Sequence, residues 1–346
     1  MSGRVGLKEL ALHLGVDVST VSRALRDDPR VKPETIEKVR SLARELGYRP
    51  NVAARALKGG RIGRVAVLLS PPQQRFASPI FLELLATLDQ RLRDHAMSLA
   101  VFAARTRDEE IDIVRSIVED RLADGLVLGR TLQNDRRVRY LLDAGFPFVT
   151  FGQTSWPDRH SWVEIDYRTA GTIAVSALAQ SNPEVLHIVA APTGLRFADN
   201  YVEGALAEAG RIGLADVITT RVEMTERQGE ALAESVFSSS GNPAIACIQD
   251  SLAFGFYRSA AARSIRFGRD ATIFGGQNFP GSEHAAPPLS TFSTEDRRVA
   301  ELLSDVMLNR LTADDVPALE THVIQPRALL RESHRMEPQP IAGNET

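Results

Sequence analysis

The chain is 346 residues long, with 43% apolar and 25% charged residues and a formal net charge of −3. This is an ordinary globular composition, and the length allows a large core and more than one domain. No apolar run reaches the length of a bilayer span. The opening "MSGRVGLKELALHLGVD" carries Lys8 and Glu9 and is no secretory signal. The single cysteine, Cys247 in "AIACI", leaves no internal disulfide and no cysteine-built zinc site. These features predict a cytoplasmic protein without metal or cofactor and without a membrane partner.

The small net charge hides an asymmetry. Residues 1–64 hold 14 Lys and Arg, including all four lysines, against 7 Asp and Glu, and the remainder carries a net −10. A basic head on an acidic body suggests a polyanion-binding module joined to something else.

In the head, Leu7, Leu10, Ala11 and Leu14 recur at helical spacing, and Gly15 can end that helix. Asp17 can cap a second helix, in which Val21 and Leu25 share one side. Its sequence, "VSTVSRALR", is rich in hydroxyls that do little for helix stability. Pro33 suits the first turn of a third helix striped by Ile36, Val39, Leu42, Ala43 and Leu46, and Gly47 can end it. Helix, tight turn, short helix, longer helix is the helix-turn-helix plan, whose second helix enters the DNA major groove. Small polar residues at its front let the backbone approach the duplex. The hydroxyls can reach phosphates or base edges, and arginine can reach guanine. The bland alternative is a small helical subdomain with a solvated polar face.

The continuous stretch "LKELALHLGVDVSTVSRALRDDPRVKPETIEKVRSLARELGYRPNVAARALKGG" resembles the head of LacI/GalR-type bacterial transcription regulators. The resemblance implies that Val18 and Ser19 choose the operator sequence, that Thr20 and Ser22 hold phosphates, and that Arg23 reads a base. Asp17 stands where the family often has Ser, and Arg30 joins the DNA-facing set. After Pro50, residues 51–58 match the family's hinge helix. There Leu57 would enter the minor groove, with Asn51, Ala54 and Lys58 beside it. Inserting such a side chain kinks the duplex.

The body follows with apolar runs alternating with helical patterns. Strands are expected at 64–70, 98–104, 124–130, 147–152, 185–191, 217–222, 244–248 and 271–276. Helices are expected at 81–95, 110–122, 136–144, 169–180, 199–209, 226–238 and 251–263. Two such blocks predict two lobes, each with a doubly wound parallel sheet, and a ligand cleft between them. This part is similar to the family's effector domain, itself like periplasmic sugar-binding proteins. The resemblance implies discontinuous lobes, about 62–160 plus 291–322 and 163–288 plus the final strand. The domain boundaries are therefore 1–48 for the DNA-binding head, 49–61 for the hinge, 62–336 for the effector-binding and dimerisation body, and 337–346 for a tail without heptad leucines.

For the effector, motif matching points to Phe76, Phe81, Arg105, Arg130, Asp166, Asp250 and Gln277, together with Trp156 and Trp162 in "GQTSWPDRHSWVEID". Sugars are held by aromatic faces and planar polar side chains. Each residue also has a structural reading: the phenylalanines as core, Asp166 as a helix cap, the tryptophans as packing between lobes. Family members commonly place an arginine three residues before the glycine that Gly204 matches. Here that position is Tyr201, leaving Arg196 or Asn200 to substitute. Gln277 stands where the family usually has Asp.

The expected function is a dimeric repressor that binds double-stranded operator DNA and is controlled by a small sugar-type effector. A purine- or phosphosugar-responsive corepressor-type regulator, or an activator of the same family, is the alternative. An enzyme on a doubly wound sheet is the rival class. The chain has no G-x-G-x-x-G after a strand, no P-loop, no G-x-S-x-G and no H-E-x-x-H.

Overall fold

Three helices form the head: α1 (Leu7–Leu14), α2 (Val18–Ala24) and α3 (Pro33–Glu45). Their apolar faces meet in one small core, with Leu10 and Ala11 from α1, Val21 and Ala24 from α2, and Val39 and Ala43 from α3. Gly15 ends α1 at φ +62°, the left-handed conformation that glycine takes at low cost. Pro33 opens α3. Asp17 stands at the N-cap of α2, but its side chain accepts no capping bond. Its carbonyl closes the first turn instead, accepting from Thr20 N at 2.9 Å and Val21 N at 3.1 Å.

This computed structural model describes residues 6–25, 28–46, 48, 61–70, 78–238, 242–313 and 317–337. By its internal contacts the chain forms two compact units, Met1–Ile62 and Gly63–Thr346.

The second unit holds two parallel sheets. The first contains β1 (Arg64–Leu69), β2 (Ser98–Ala103), β3 (Gly125–Leu128), β4 (Phe148–Phe151), β5 (Ser161–Ile165) and β11 (Thr321–Ile324), in the order β11-β5-β4-β3-β1-β2. Its helices are α4 (Pro79–Asp94), α5 (Arg107–Glu119) and α6 (Arg136–Asp143). The second sheet contains β6 (Val185–Ala190), β7 (Val217–Arg221), β8 (Pro243–Cys247) and β9 (Thr272–Phe274), in the order β7-β6-β8-β9. It is flanked by α7 (Tyr167–Leu178), α8 (Arg196–Ile212), α9 (Glu226–Phe237) and α10 (Asp250–Ala262). All pairings within both sheets are parallel, as expected where each strand is an apolar run covered by helices.

The chain passes between the lobes three times. It leaves the first after β5 and returns through β10 (Thr291–Ser293) into α11 (Asp296–Thr312), which packs on α4. It then leaves again after β11 into β12 (Arg327–Leu329), which pairs antiparallel with β10. β5 was not expected from the sequence. No helix separates it from β4, so it breaks the alternation that marks the other strands, and it carries the first lobe on to residue 165. Two pairs of helices touch backbone to backbone because they meet at glycines. A Cβ on Gly171 or Gly204 would strike the carbonyl oxygen of Tyr201 or Arg168 between α7 and α8. Gly229 and Gly255 play the same part between α9 and α10.

Candidate functional site

Burial of Val21 and Ala24 turns the other side of α2 outward. Val18, Ser19 and Arg23 are exposed on it, and Thr20 and Ser22 are half-buried at its edges. Asp17 is also exposed. Arg30 is held by Asp28, with Nε donating to Oδ1 at 2.9 Å and Nη2 to Oδ2 at 2.7 Å. That pairing keeps the Asp28 carboxyl well below the usual carboxylate range. Asn51, Ala54, Leu57 and Lys58 lie outside the described residues, as does Phe76.

In open α/β sheets, ligands bind beyond the carboxyl ends of the strands. A cavity open to solvent at its mouth lies there between the lobes. The first lobe supplies Arg130 and Thr131 after β3, Phe151 and Gly152 at β4, and Glu164 and Ile165 at the end of β5. The second lobe supplies Tyr167 and Phe197 at the starts of α7 and α8, Met224 after β7, Gln249 after β8 and Gln277 after β9.

Polar groups in this cavity hold one another. Gln249 Nε2 donates to Gln277 Oε1 at 3.0 Å, and Gln277 Nε2 donates to the Tyr167 hydroxyl at 2.8 Å. Tyr167 packs against Phe197, with ring centroids 5.2 Å apart. Glu164 Oε1 accepts from Asn200 Nδ2 at 3.0 Å, and Oε2 accepts from Gln153 N at 3.2 Å. Arg196 Nη2 donates to Gln153 Oε1 at 3.1 Å. Burial raises the Glu164 pKa, opposed by Arg196 and by its two donors. Burial lowers that of Arg130, opposed by Glu223.

Of the expected effector residues, Arg130 and Gln277 line this cavity, Asn200 braces Glu164 at its wall, and Arg196 holds Gln153, whose backbone N–H donates to Glu164. The structure places the others away from this cavity. Phe81 and Tyr201 are core residues; Tyr201 is fully buried and packs near Phe292. Asp250 is fully buried and accepts from Gly276 N (2.6 Å), Phe279 N (2.7 Å), Ser282 Oγ (2.5 Å) and Thr291 Oγ1 (2.8 Å), which ties β9 and β10 to α10. Burial pushes its carboxyl up to about 6 against those donors. Asp166 caps α7, accepting from Thr169 N at 3.0 Å. Trp162 is buried on β5, with Nε1 donating to the Pro157 carbonyl at 3.1 Å, and Trp156 packs on the first lobe's core. Arg105 is exposed and lines a separate chamber beyond Arg130.

Sequence reading missed Glu164, Tyr167, Phe197, Phe151 and Gln249. The available signal was their position at or just after the end of a strand, or on the first turn of the following helix.

Behind Arg130 lies a buried charge network. Arg137 forks onto Asp135, Nε to Oδ1 at 2.9 Å and Nη2 to Oδ2 at 2.6 Å, and Arg137 Nη1 meets Glu110 Oε2 at 2.7 Å. Arg137 Nη2 also donates to the carbonyls of Gly129 and Arg130, each at 3.3 Å. This ties α5 and α6 to the loop after β3, where Arg130 sits at φ +53°.

A helix-turn-helix head joined to a two-lobed body with a cleft at its strand ends defines a DNA-binding regulator, and comparison with known proteins gives the family. The description "Bacterial regulatory proteins, lacI family" matches residues 6–51, and "Periplasmic binding protein-like domain" matches residues 184–334. The chain is 30% identical over 227 residues to the HTH-type transcriptional regulator RafR of Escherichia coli, covering 65% of this chain and 67% of that one. The fold is shared with a CelR–cellobiose complex, at TM-score 0.71 and 22% identity over 95% of this chain and all of that one. It is also shared with the lac repressor dimer bound to operator and the anti-inducer ONPF, at TM-score 0.81 and 19% identity over 96% of this chain and all of that one. The chain belongs to the lacI family of bacterial regulatory proteins. It is a DNA-binding transcriptional regulator. Among the described residues no helix is long and apolar enough to cross a membrane.

Proposed function

We propose that the protein is a homodimeric repressor whose affinity for a near-palindromic operator is set by a saccharide bound between the lobes. The supporting observation is the inner cavity. It sets the aromatic side chains Phe151, Tyr167 and Phe197 against the neutral amides Gln249 and Gln277 and the single carboxylate Glu164. Aromatic faces suit the C–H faces of a sugar ring, and fixed planar amides and a carboxylate suit its hydroxyls. The cellobiose of the CelR complex and the operator-bound dimer of the lac repressor agree with this reading.

In the head, Val18, Ser19 and Arg23 on the outer face of α2 read base edges, and Thr20 and Ser22 hold phosphates. Ligand in the cleft changes the angle between the lobes, and the segment 49–61 carries that change to the head. The ligand acts only as far as it prefers one arrangement, a coupling of about 1–3 kcal/mol in typical cases. Titration of genomic fragments with the full chain, with and without mono- and disaccharides, tests this. A roughly 5- to 150-fold shift in DNA affinity with one saccharide is expected. A response to purines and to no saccharide would instead favour the corepressor reading.

A further inference from the structure

The cleft does not end at the inner cavity. Past Arg130, which lines both spaces, lies an outer, more open chamber. Leu195 and Glu223 close it from the second lobe, and Ser70 and the loops after β2 and β3 line it from the first.

The two chambers differ in chemistry. The inner one offers aromatic rings and amides beside Glu164 and Arg130, whereas the outer one has no aromatic lining among the described residues. It is lined by Arg105, Arg107, Arg130, Arg136 and Arg137, against the acids Asp108, Glu110, Asp135 and Glu223. Asp135 and Glu110 are committed to Arg137 at 2.6 and 2.7 Å. Asp108 meets Arg136 at 3.8 Å, and Glu223 meets Arg130 at 3.9 Å, both wide for an ion pair. Among the described residues the Arg105 and Arg107 guanidinium groups have no ion-pair partner. The outer chamber thus presents four guanidinium forks answered by two loosely held carboxylates.

Guanidinium forks match carboxylate and phosphate oxygens, two bonds at a time. A negative charge carried into the inner cavity would meet the Glu164 carboxylate as well as Arg130 in a poorly solvated space, whereas the outer chamber adds Arg105 and Arg107. We propose that the effector is an anionic saccharide: its sugar ring occupies the inner cavity, and its carboxylate or phosphate lies in the outer chamber on Arg105 and Arg107. This rests on the saccharide reading above.

Calorimetric titration of the full chain tests it. The probes are neutral mono- and disaccharides, cellobiose among them, and their uronate and 6-phosphate counterparts. One charged series is expected to bind at least roughly tenfold tighter than its neutral parent, the scale of a charge-assisted contact. The uronate and phosphate arms tell the two anions apart. Added salt is expected to reduce the advantage, since these arginines face water. In the Arg105→Ala/Arg107→Ala double variant, where both lost side chains are exposed, the ratio of charged to neutral affinity is expected to fall to within about twofold. Neutral probes that bind as well as charged ones overturn the inference and leave the saccharide reading standing. A charge advantage that survives the double variant overturns the assignment to Arg105 and Arg107. Failure of every saccharide to bind overturns both readings together.

Discussion

The head and the body prepare their recognition surfaces in opposite ways. Among the described residues of the head, every buried side chain is apolar or alanine, and the polar groups face outward. A seven-residue helix carries the outward face, positioned by a core drawn from neighbouring turns of chain. The body buries Asp135, Arg137, Glu164, Glu208 and Asp250, and gathers its cleft from strand ends more than a hundred residues apart. A surface that reads a rigid duplex needs only to be presented. A cleft that selects a small polar ligand needs polar side chains fixed out of water, and each of them must be answered by another.

The largest expected effect lies in the body. Arg137→Met removes the guanidinium that pairs with both Asp135 and Glu110, leaving the buried Asp135 carboxylate without its fork. Breaking a buried pair by deleting one partner costs about 3–5 kcal/mol. Chemical denaturation of the full chain measures it, and effector binding is expected to weaken as Arg130 loses its support. A loss below about 1 kcal/mol would show that the body, like the head, stands on apolar packing alone.

That contrast also explains what the sequence made legible. The head was readable because its signals are local: helical spacing, Gly15, Pro33 and one uninterrupted motif. The alternation of strands and helices was equally plain up to β9, except at β5, where no helix intervenes; β10, α11 and β11 were not given by spacing. The cleft was half legible. Gln277 and Arg130 follow recognisable strands and do line it. Asp250 and Asp166 follow the same rule, yet each spends its oxygens on backbone and hydroxyl donors of its own lobe. Spacing cannot tell a carboxylate that faces the cavity from one that pins a loop. Tyr201 shows the limit more sharply. Gly204 brings α8 against α7, and that close contact draws Tyr201 into the core, so Asn200 and Arg196, earlier on the helix, reach Glu164 and Gln153 instead.

The next effect, on the head, is smaller and cleaner. Arg23→Ala removes an exposed side chain that pairs with no buried group among the described residues. Operator affinity is expected to fall by about 1–3 kcal/mol, with selectivity relaxed at one base pair. Thermal midpoint and effector binding are expected to stay unchanged. A destabilised protein would mean that the recognition face also holds the head together, and the contrast with the body would fail.

The smallest effect concerns acid, and it compares like with like. Both units contain an arginine forked onto a carboxylate. In the head, Arg30 grips Asp28 two residues away within one turn. In the body, Arg211 grips Glu208 on α8 through Nε at 2.7 Å and Nη2 at 2.6 Å, and Ser176 of α7 donates to the same carboxylate. The Arg211 fork, with the serine hydroxyl, holds Glu208 at about 2 instead of 4.5. A carboxyl lowered in the folded state binds its proton more readily when unfolded. The stability it supplies is therefore complete above about pH 4.5 and is lost as pH falls towards 2. Because Arg211 lies mostly in water, screening keeps the contribution below about 1 kcal/mol. Glu208→Gln is expected to flatten the pH dependence of stability in that window by this amount and to leave the neutral-pH ligand profile alone. Superimposable acid-unfolding curves for the two proteins would reduce the Glu208 fork to the same local role as its counterpart in the head.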